Sequence, residues 1–148
     1  MHPFDLKAAL LASHAQHVVL IHFPIALFII GFVFDVLAER LGRHELAEVA
    51  YYNLFVAAIS SVPTIATGLL AWQWALEGKR MKGILLYHLV FALASGTVIL
   101  LSWWLHFRAR RKAASVPSWC ISVEFTGVLL LMITGHLGGF LSGVNGAP

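Results

Sequence analysis

Four long apolar runs constrain this chain more than any other feature of its sequence. A helix needs about 20 apolar residues to cross the roughly 30 Å hydrocarbon core of a bilayer. We predict four such spans, and their bounds are residues 17–38, 49–74, 84–107 and 119–141. Only 11% of the residues are charged, against about 25% in soluble domains. Membrane lipid is therefore the expected partner of much of the surface.

The connections between these spans are short, and they cover residues 39–48, 75–83 and 108–118. Short loops make successive helices antiparallel. The predicted fold class is therefore all-α, an integral membrane four-helix bundle with up-down-up-down topology. Residues 1–148 form a single domain, because no linker is long enough to precede a second one. No internal repeat is strong enough to claim from the sequence.

The basic residues predict the orientation of the bundle. Loops one and three hold six of them, and the two ends and loop two hold four. Cytoplasmic loops carry an excess of Lys and Arg, so we predict both termini outside and loop three in the cytoplasm. Basic residues confined to loops and ends suit lipid head groups, and nucleic acid is not an expected partner.

Eight histidines are many for a membrane chain, and their depth is informative. His22, His88 and His136 lie on three spans but at a similar predicted depth near the outer face, and His14 and His17 lie just above them. Ionisable groups inside spans are costly and usually functional. The alternative is that each imidazole is neutral and hydrogen-bonds a neighbouring group. We predict a cofactor site built from His17, His22, His88 and His136.

The residue types around these histidines favour haem as the cofactor. Imidazole is a common haem ligand, and small residues beside His88 and His136 leave flat space for a macrocycle. A covalent c-type haem is excluded because the chain has no CxxCH sequence. We therefore predict one or two b-type haems. Copper or zinc held by His22, His88 and His136 is the alternative.

A second group of polar residues lies near the predicted inner face. Its members are Asp35, His106 and Glu124, together with Tyr51, Tyr52 and Asn53 at the start of span two. Snorkelling towards the interface and pairing with the basic residues of loop three explain them best. The sharper alternative is a site that handles protons or binds a quinone head group.

The stretch His17 to Leu37, HVVLIHFPIALFIIGFVFDVL, resembles the opening of the bacterial membrane-protein family DUF2231. Further similarities are TGLLAW at Thr67 to Trp72, a histidine early in span three, here His88, and the glycine-rich end of span four. The resemblance implies a bacterial inner (cytoplasmic) membrane location with periplasmic termini. It also implies an association with cytochromes in redox systems, which supports the haem interpretation.

These observations together predict an electron-transfer subunit resembling a b-type cytochrome. Its expected partners are other membrane redox subunits or a periplasmic cytochrome, with quinone as a further candidate. The alternatives are a structural or assembly subunit of a larger membrane redox complex, and a copper- or zinc-binding membrane protein. The sequence has no recognisable substrate site, so an electron carrier or complex subunit is favoured over an independent enzyme.

Overall fold

The computed structural model describes residues 13–75 and 80–143, and describes side chains over residues 16–73 and 80–143. The side chain of His14 lies outside this range. The described residues form five helices. They are α1 (Ser13–Leu20), α2 (His22–Leu41), α3 (His44–Ala75), α4 (Ile84–Arg111) and α5 (Trp119–Leu141).

These helices confirm the predicted all-α membrane bundle. Four stretches are long and apolar enough to cross a membrane, namely Gln16–Leu41, His44–Gln73, Ile84–Arg111 and Trp119–Leu141, and we call them spans one to four. The described residues contain no strand. Spans one, two and three extend beyond their predicted bounds, and loop one shrinks to Gly42 and Arg43. A helix continues readily into the head-group region, because it satisfies its own backbone while charged side chains reach water.

Span one consists of α1 and α2, which are separated by a turn at Ile21. Pro24 causes this interruption, because it has no N–H to donate to the carbonyl of Leu20. The hydroxyl of Thr64 on span two donates to the carbonyl of Ser60 at 2.8 Å, and the carbonyl of Leu20 is its second acceptor at 3.3 Å. A neighbouring span thus serves the carbonyl that the proline leaves without its usual donor.

The four spans pack as a closed bundle with four sides. Contacts join spans one and two, two and three, three and four, and one and four. Spans one and three therefore lie diagonally opposite each other, as do spans two and four. We call the end where spans one and three begin the histidine end, and the opposite end, which contains loops one and three, the arginine end.

The centre of the bundle is apolar and tightly packed. Its buried cluster consists of Phe28, Leu54, Ala57, Ala58, Ile99 and Leu131. Small residues bring the spans close together, as is usual in membranes. A Cβ atom added at Gly127 would lie 2.7 Å from the ring of Phe28 and 2.8 Å from the side chain of Val98. Glycine is therefore required there.

The buried positions reveal an internal repeat that the sequence does not show. Span one buries Pro24, Phe28, Gly31 and Asp35. Adding 71 to each number gives the buried residues Ser95, Ile99, Ser102 and His106 of span three. Span four buries Cys120, Glu124, Gly127 and Leu131. Subtracting 70 gives the buried residues Ala50, Leu54, Ala57 and Ser61 of span two. The hairpin of spans three and four thus repeats the burial pattern of spans one and two.

Candidate functional site

At the histidine end, His17 packs against span two. Its Nδ1 lies 3.1 Å from the carbonyl oxygen of Thr64. A carbonyl only accepts, so Nδ1 carries the hydrogen and donates it. The ring lies over Gly68, where an added Cβ would come within 2.9 Å of it. Span two therefore holds His17 through Nδ1, which also lies 3.4 Å from the Thr67 hydroxyl oxygen, and by the absence of a side chain at Gly68.

His88 is held in the same way by span four. Its Nδ1 donates to the carbonyl oxygen of Thr134 at 3.1 Å. Its ring lies over Gly138, where an added Cβ would come within 3.2 Å of it. His88 also lies seven residues before the buried Ser95, so it continues the buried face of span three.

The two histidine environments are copies of each other within the internal repeat. His17 and His88 are 71 residues apart. Thr64 and Thr134 are 70 residues apart, as are Gly68 and Gly138. Each copy consists of a histidine, a threonine carbonyl and a glycine. In both copies the bonded Nδ1 directs the lone pair to Nε2, which is the usual orientation of a histidine that ligates a metal. Among the described histidines of this end, His17 and His88 are therefore the two that a neighbouring span holds in place.

The other two predicted ligands lie on different faces of their spans. His22 is exposed, and its Nδ1 lies 3.4 Å from the carbonyl oxygen of Val19 on its own span. His136 is exposed and its ring meets that of Phe140 edge-on, with 5.0 Å between centroids. The structure thus places His17 and His88 against neighbouring spans, while His22 and His136 face outwards.

At the arginine end, three ionisable side chains meet inside the bundle. Asp35, His106 and Glu124 come from spans one, three and four, and their exposed fractions are 7%, 2% and 0%. His106 Nδ1 donates to the carbonyl oxygen of Ser102 at 2.8 Å, and its Nε2 lies 2.6 Å from Asp35 Oδ2. The nearest Glu124 oxygen lies 3.5 Å from the same Nε2. We call these three residues the buried triad.

The carboxyl group of Glu124 is the unusual member of the buried triad. Neither of its oxygens has a hydrogen-bond partner, although both are buried. Buried polar groups almost always find partners, so this group requires an explanation. In the described part of the chain, the buried triad is the one group of three or more His, Cys, Asp or Glu side chains whose ligand atoms all lie within 4.8 Å of one another.

A cavity connects the buried triad with the surface of the arginine end. It has a volume of about 500 Å³ and is lined by Asp35 and His106 together with residues of loops one and three. The exposed side chains of Glu39, His44 and Glu48 line its outer part. Glu48 pairs with Arg110, whose guanidinium lies 4.7 Å from the ring centre of Tyr51.

Sequence reasoning placed the members of the buried triad at the correct end but not in contact. It favoured pairing of Asp35 and Glu124 with the arginines of loop three, whereas Asp35 pairs with His106. No signal in the sequence indicates the contact, because the equivalence of Asp35 and His106, 71 residues apart, is visible only in the burial pattern.

The fold and these two sites define an integral membrane four-helix protein with ionisable groups inside the bundle. The chain belongs to the DUF2231 family, because its residues 13–147 match that family, which is described as a predicted membrane protein. No curated protein and no solved structure matches the chain.

Proposed function

We propose that this protein is a membrane electron-transfer subunit that binds one b-type haem through His17 and His88. The observation that supports the proposal is the duplicated arrangement at the histidine end. Each histidine donates Nδ1–H to a threonine carbonyl of the neighbouring span and packs its ring against a glycine. The two side chains come from diagonally opposite spans, as two ligands of a group inside a four-helix bundle would.

The donor chemistry of the histidine end suits such a group. Haem iron takes imidazole ligands through a ring nitrogen, and a hydrogen bond from Nδ1–H to a carbonyl is the usual outer-shell contact of a histidine that ligates through Nε2. The hydroxyls of Thr67 and Thr134 donate to carbonyls within their own spans, so no unpaired hydroxyl hydrogen competes for the space. When bound, haem supplies an iron that takes up and releases one electron. The protein's part is to hold the ligands and to exclude water.

The proposal includes the surroundings of the site. With both termini outside, the histidine end would face the periplasm of a bacterial inner membrane. A quinol, a periplasmic cytochrome or a membrane redox subunit would then exchange electrons with the haem at that face. His22 and His136 would be ligands only if the chain held a second haem.

The test is a visible absorption spectrum of protein purified in detergent from haem-replete cells, first oxidised and then reduced with dithionite. We expect a Soret band, sharp α and β bands after reduction, and one haem per chain. His17→Ala and His88→Ala should each remove the low-spin spectrum. The matched controls His22→Ala and His136→Ala remove exposed histidines of the same end and should retain it.

Several outcomes would contradict the proposal. A featureless spectrum from haem-replete cells would do so, and copper or zinc without a Soret band would favour the metal-binding alternative instead. Full haem content in both His17→Ala and His88→Ala would exclude these two ligands. A third outcome favours the structural-subunit alternative. In that case none of the histidine variants would alter the absorption spectrum, and none would impair the assembly of a larger complex.

A further inference from the structure

We infer that the buried triad, Asp35, His106 and Glu124, is a binding site for a divalent transition-metal ion. This site lies at the opposite end of the bundle from the proposed haem. The inference therefore does not depend on haem binding. Its ligand set is one imidazole nitrogen and carboxylate oxygens from two side chains, a set that suits zinc, manganese or iron.

The geometry of the three side chains converges on one point. Their ligand atoms lie within 4.8 Å of one another and come from three different spans. His106 Nδ1 donates to the carbonyl oxygen of Ser102, which fixes the ring and directs Nε2 towards both carboxyl groups. A backbone carbonyl that orients the far side of a ligating imidazole is the usual outer shell of a metal site.

The charges of the buried triad favour a bound cation. A protonated His106 balances Asp35, with which it shares a hydrogen bond. Glu124 then remains wholly buried and without a hydrogen-bond partner, and His106 Nε2, at 3.5 Å, already pairs with Asp35. A buried carboxylate that lacks hydrogen bonds inside the bundle is costly. A divalent ion bound by a neutral imidazole and two carboxylates gives a neutral complex and a partner for Glu124.

The repeat shows that an acidic residue at this position is not demanded by packing. The counterpart of Glu124 in the first hairpin is Leu54, since subtracting 70 from 124 gives 54, and Leu54 is also wholly buried. An equivalent position in the same bundle is thus filled by an aliphatic side chain. The carboxyl group of Glu124 therefore reflects a function of the triad.

The cavity at the arginine end supplies an entry path for the ion. It reaches Asp35 and His106 from the surface, past Glu39, His44 and Glu48. The basic residues nearby are paired, Arg43 with Glu45 and Arg110 with Glu48. On binding, the metal replaces the hydrogen bond between His106 and Asp35, and the proton held between them is released to solvent.

The experiment uses the full-length, tag-free protein in detergent after its metal has been stripped. Manganese(II) is the first probe, because an imidazole cluster such as the histidine end binds it more weakly than zinc. Zinc(II) is the second probe. We expect saturable binding of one ion per chain, measured by titration and by elemental analysis after desalting.

The variants identify the ligands. Glu124→Gln keeps the size of the side chain and should weaken binding by more than about 100-fold, as should His106→Ala, because losing even an outer-shell partner costs about 10–100-fold. His136→Ala removes an exposed imidazole at the opposite end of the bundle and should bind within twofold of the original. Glu124→Leu copies Leu54, so it should fold and yet fail to bind.

Two results would overturn the inference. One is the absence of saturable binding of both ions by the unaltered protein, which would leave the triad as a proton-holding cluster. The other is a folded Glu124→Gln or Glu124→Leu variant that binds as tightly as the original. Neither result bears on the haem spectrum, and loss of haem in His88→Ala would leave metal binding at the triad intact.

Discussion

Single atoms decide how closely the spans approach each other, and Gly127 is the sharpest case. A Cβ atom there would lie 2.7 Å from the ring of Phe28, which is itself fully buried. The buried Phe28 ring would have to shift to admit the new methyl group. Gly127→Ala should therefore lower the free energy of unfolding by about 1–3 kcal/mol. Unfolding in mixed detergent micelles measures this change.

Gly135 on the same span provides the matched control. An added Cβ there meets no atom within 4 Å, and alanine is the better helix former by up to about 1 kcal/mol. Gly135→Ala should therefore be neutral or slightly stabilising. Equal destabilisation by both substitutions would show that the contact at Gly127 is not the cause.

At the scale of the elements, span one depends on a hydroxyl of span two at the turn between α1 and α2. Thr64→Val removes the hydroxyl that approaches the carbonyl of Leu20, and this should cost about 0.5–1.5 kcal/mol of stability. Thr97→Val is the control, because Thr97 is exposed and donates to Leu93 of its own span. Micelle unfolding of both variants measures the difference.

A double-mutant cycle assigns the cause of that loss. Pro24→Ala restores an N–H that can serve the carbonyl of Leu20. In that background Thr64→Val should therefore cost less than it does alone. An identical cost in both backgrounds would show that the proline and the threonine are not coupled.

The sequence sufficed to predict the four spans, but not how each span is rotated about its own axis. Apolar runs long enough to cross a bilayer revealed the four spans and both ends of span four. The sequence did not show which side of each span points into the bundle, because a side chain that faces lipid is as apolar as one that faces the core. Thus the depths of His22 and His136 were predicted, whereas their outward direction was not.

The same limit explains the buried triad. Asp35, His106 and Glu124 were recognised as polar residues near one end, but their meeting depends on which way three spans are turned. Positions such as Phe28 and Ile99 share no residue type, so the repeat became visible only when burial was compared. The pairing of His17 with Thr64 and Gly68 was hidden for the same reason.

For the whole molecule, the excess of basic residues predicts that the histidine end faces outwards. New cysteines at exposed Ser142, beyond span four, and at exposed Ser115, in loop three, test this. In intact bacterial cells a membrane-impermeant thiol reagent should label Ser142→Cys, and it should label Ser115→Cys only after lysis. Cys120 is 1% exposed and should contribute little background. Labelling in the opposite pattern would reverse the orientation.

The repeated burial pattern also bears on how such a chain arose. A tandem duplication of one helical hairpin would leave this pattern, and its forerunner would have been a homodimer with a two-fold axis along the membrane normal. In a homodimer, equivalent positions must carry the same residue. The pairs Asp35 and His106, and Leu54 and Glu124, break that rule. Such a fusion would have freed the arginine end to evolve an asymmetric centre, while the histidine end retained the equivalent pair His17 and His88.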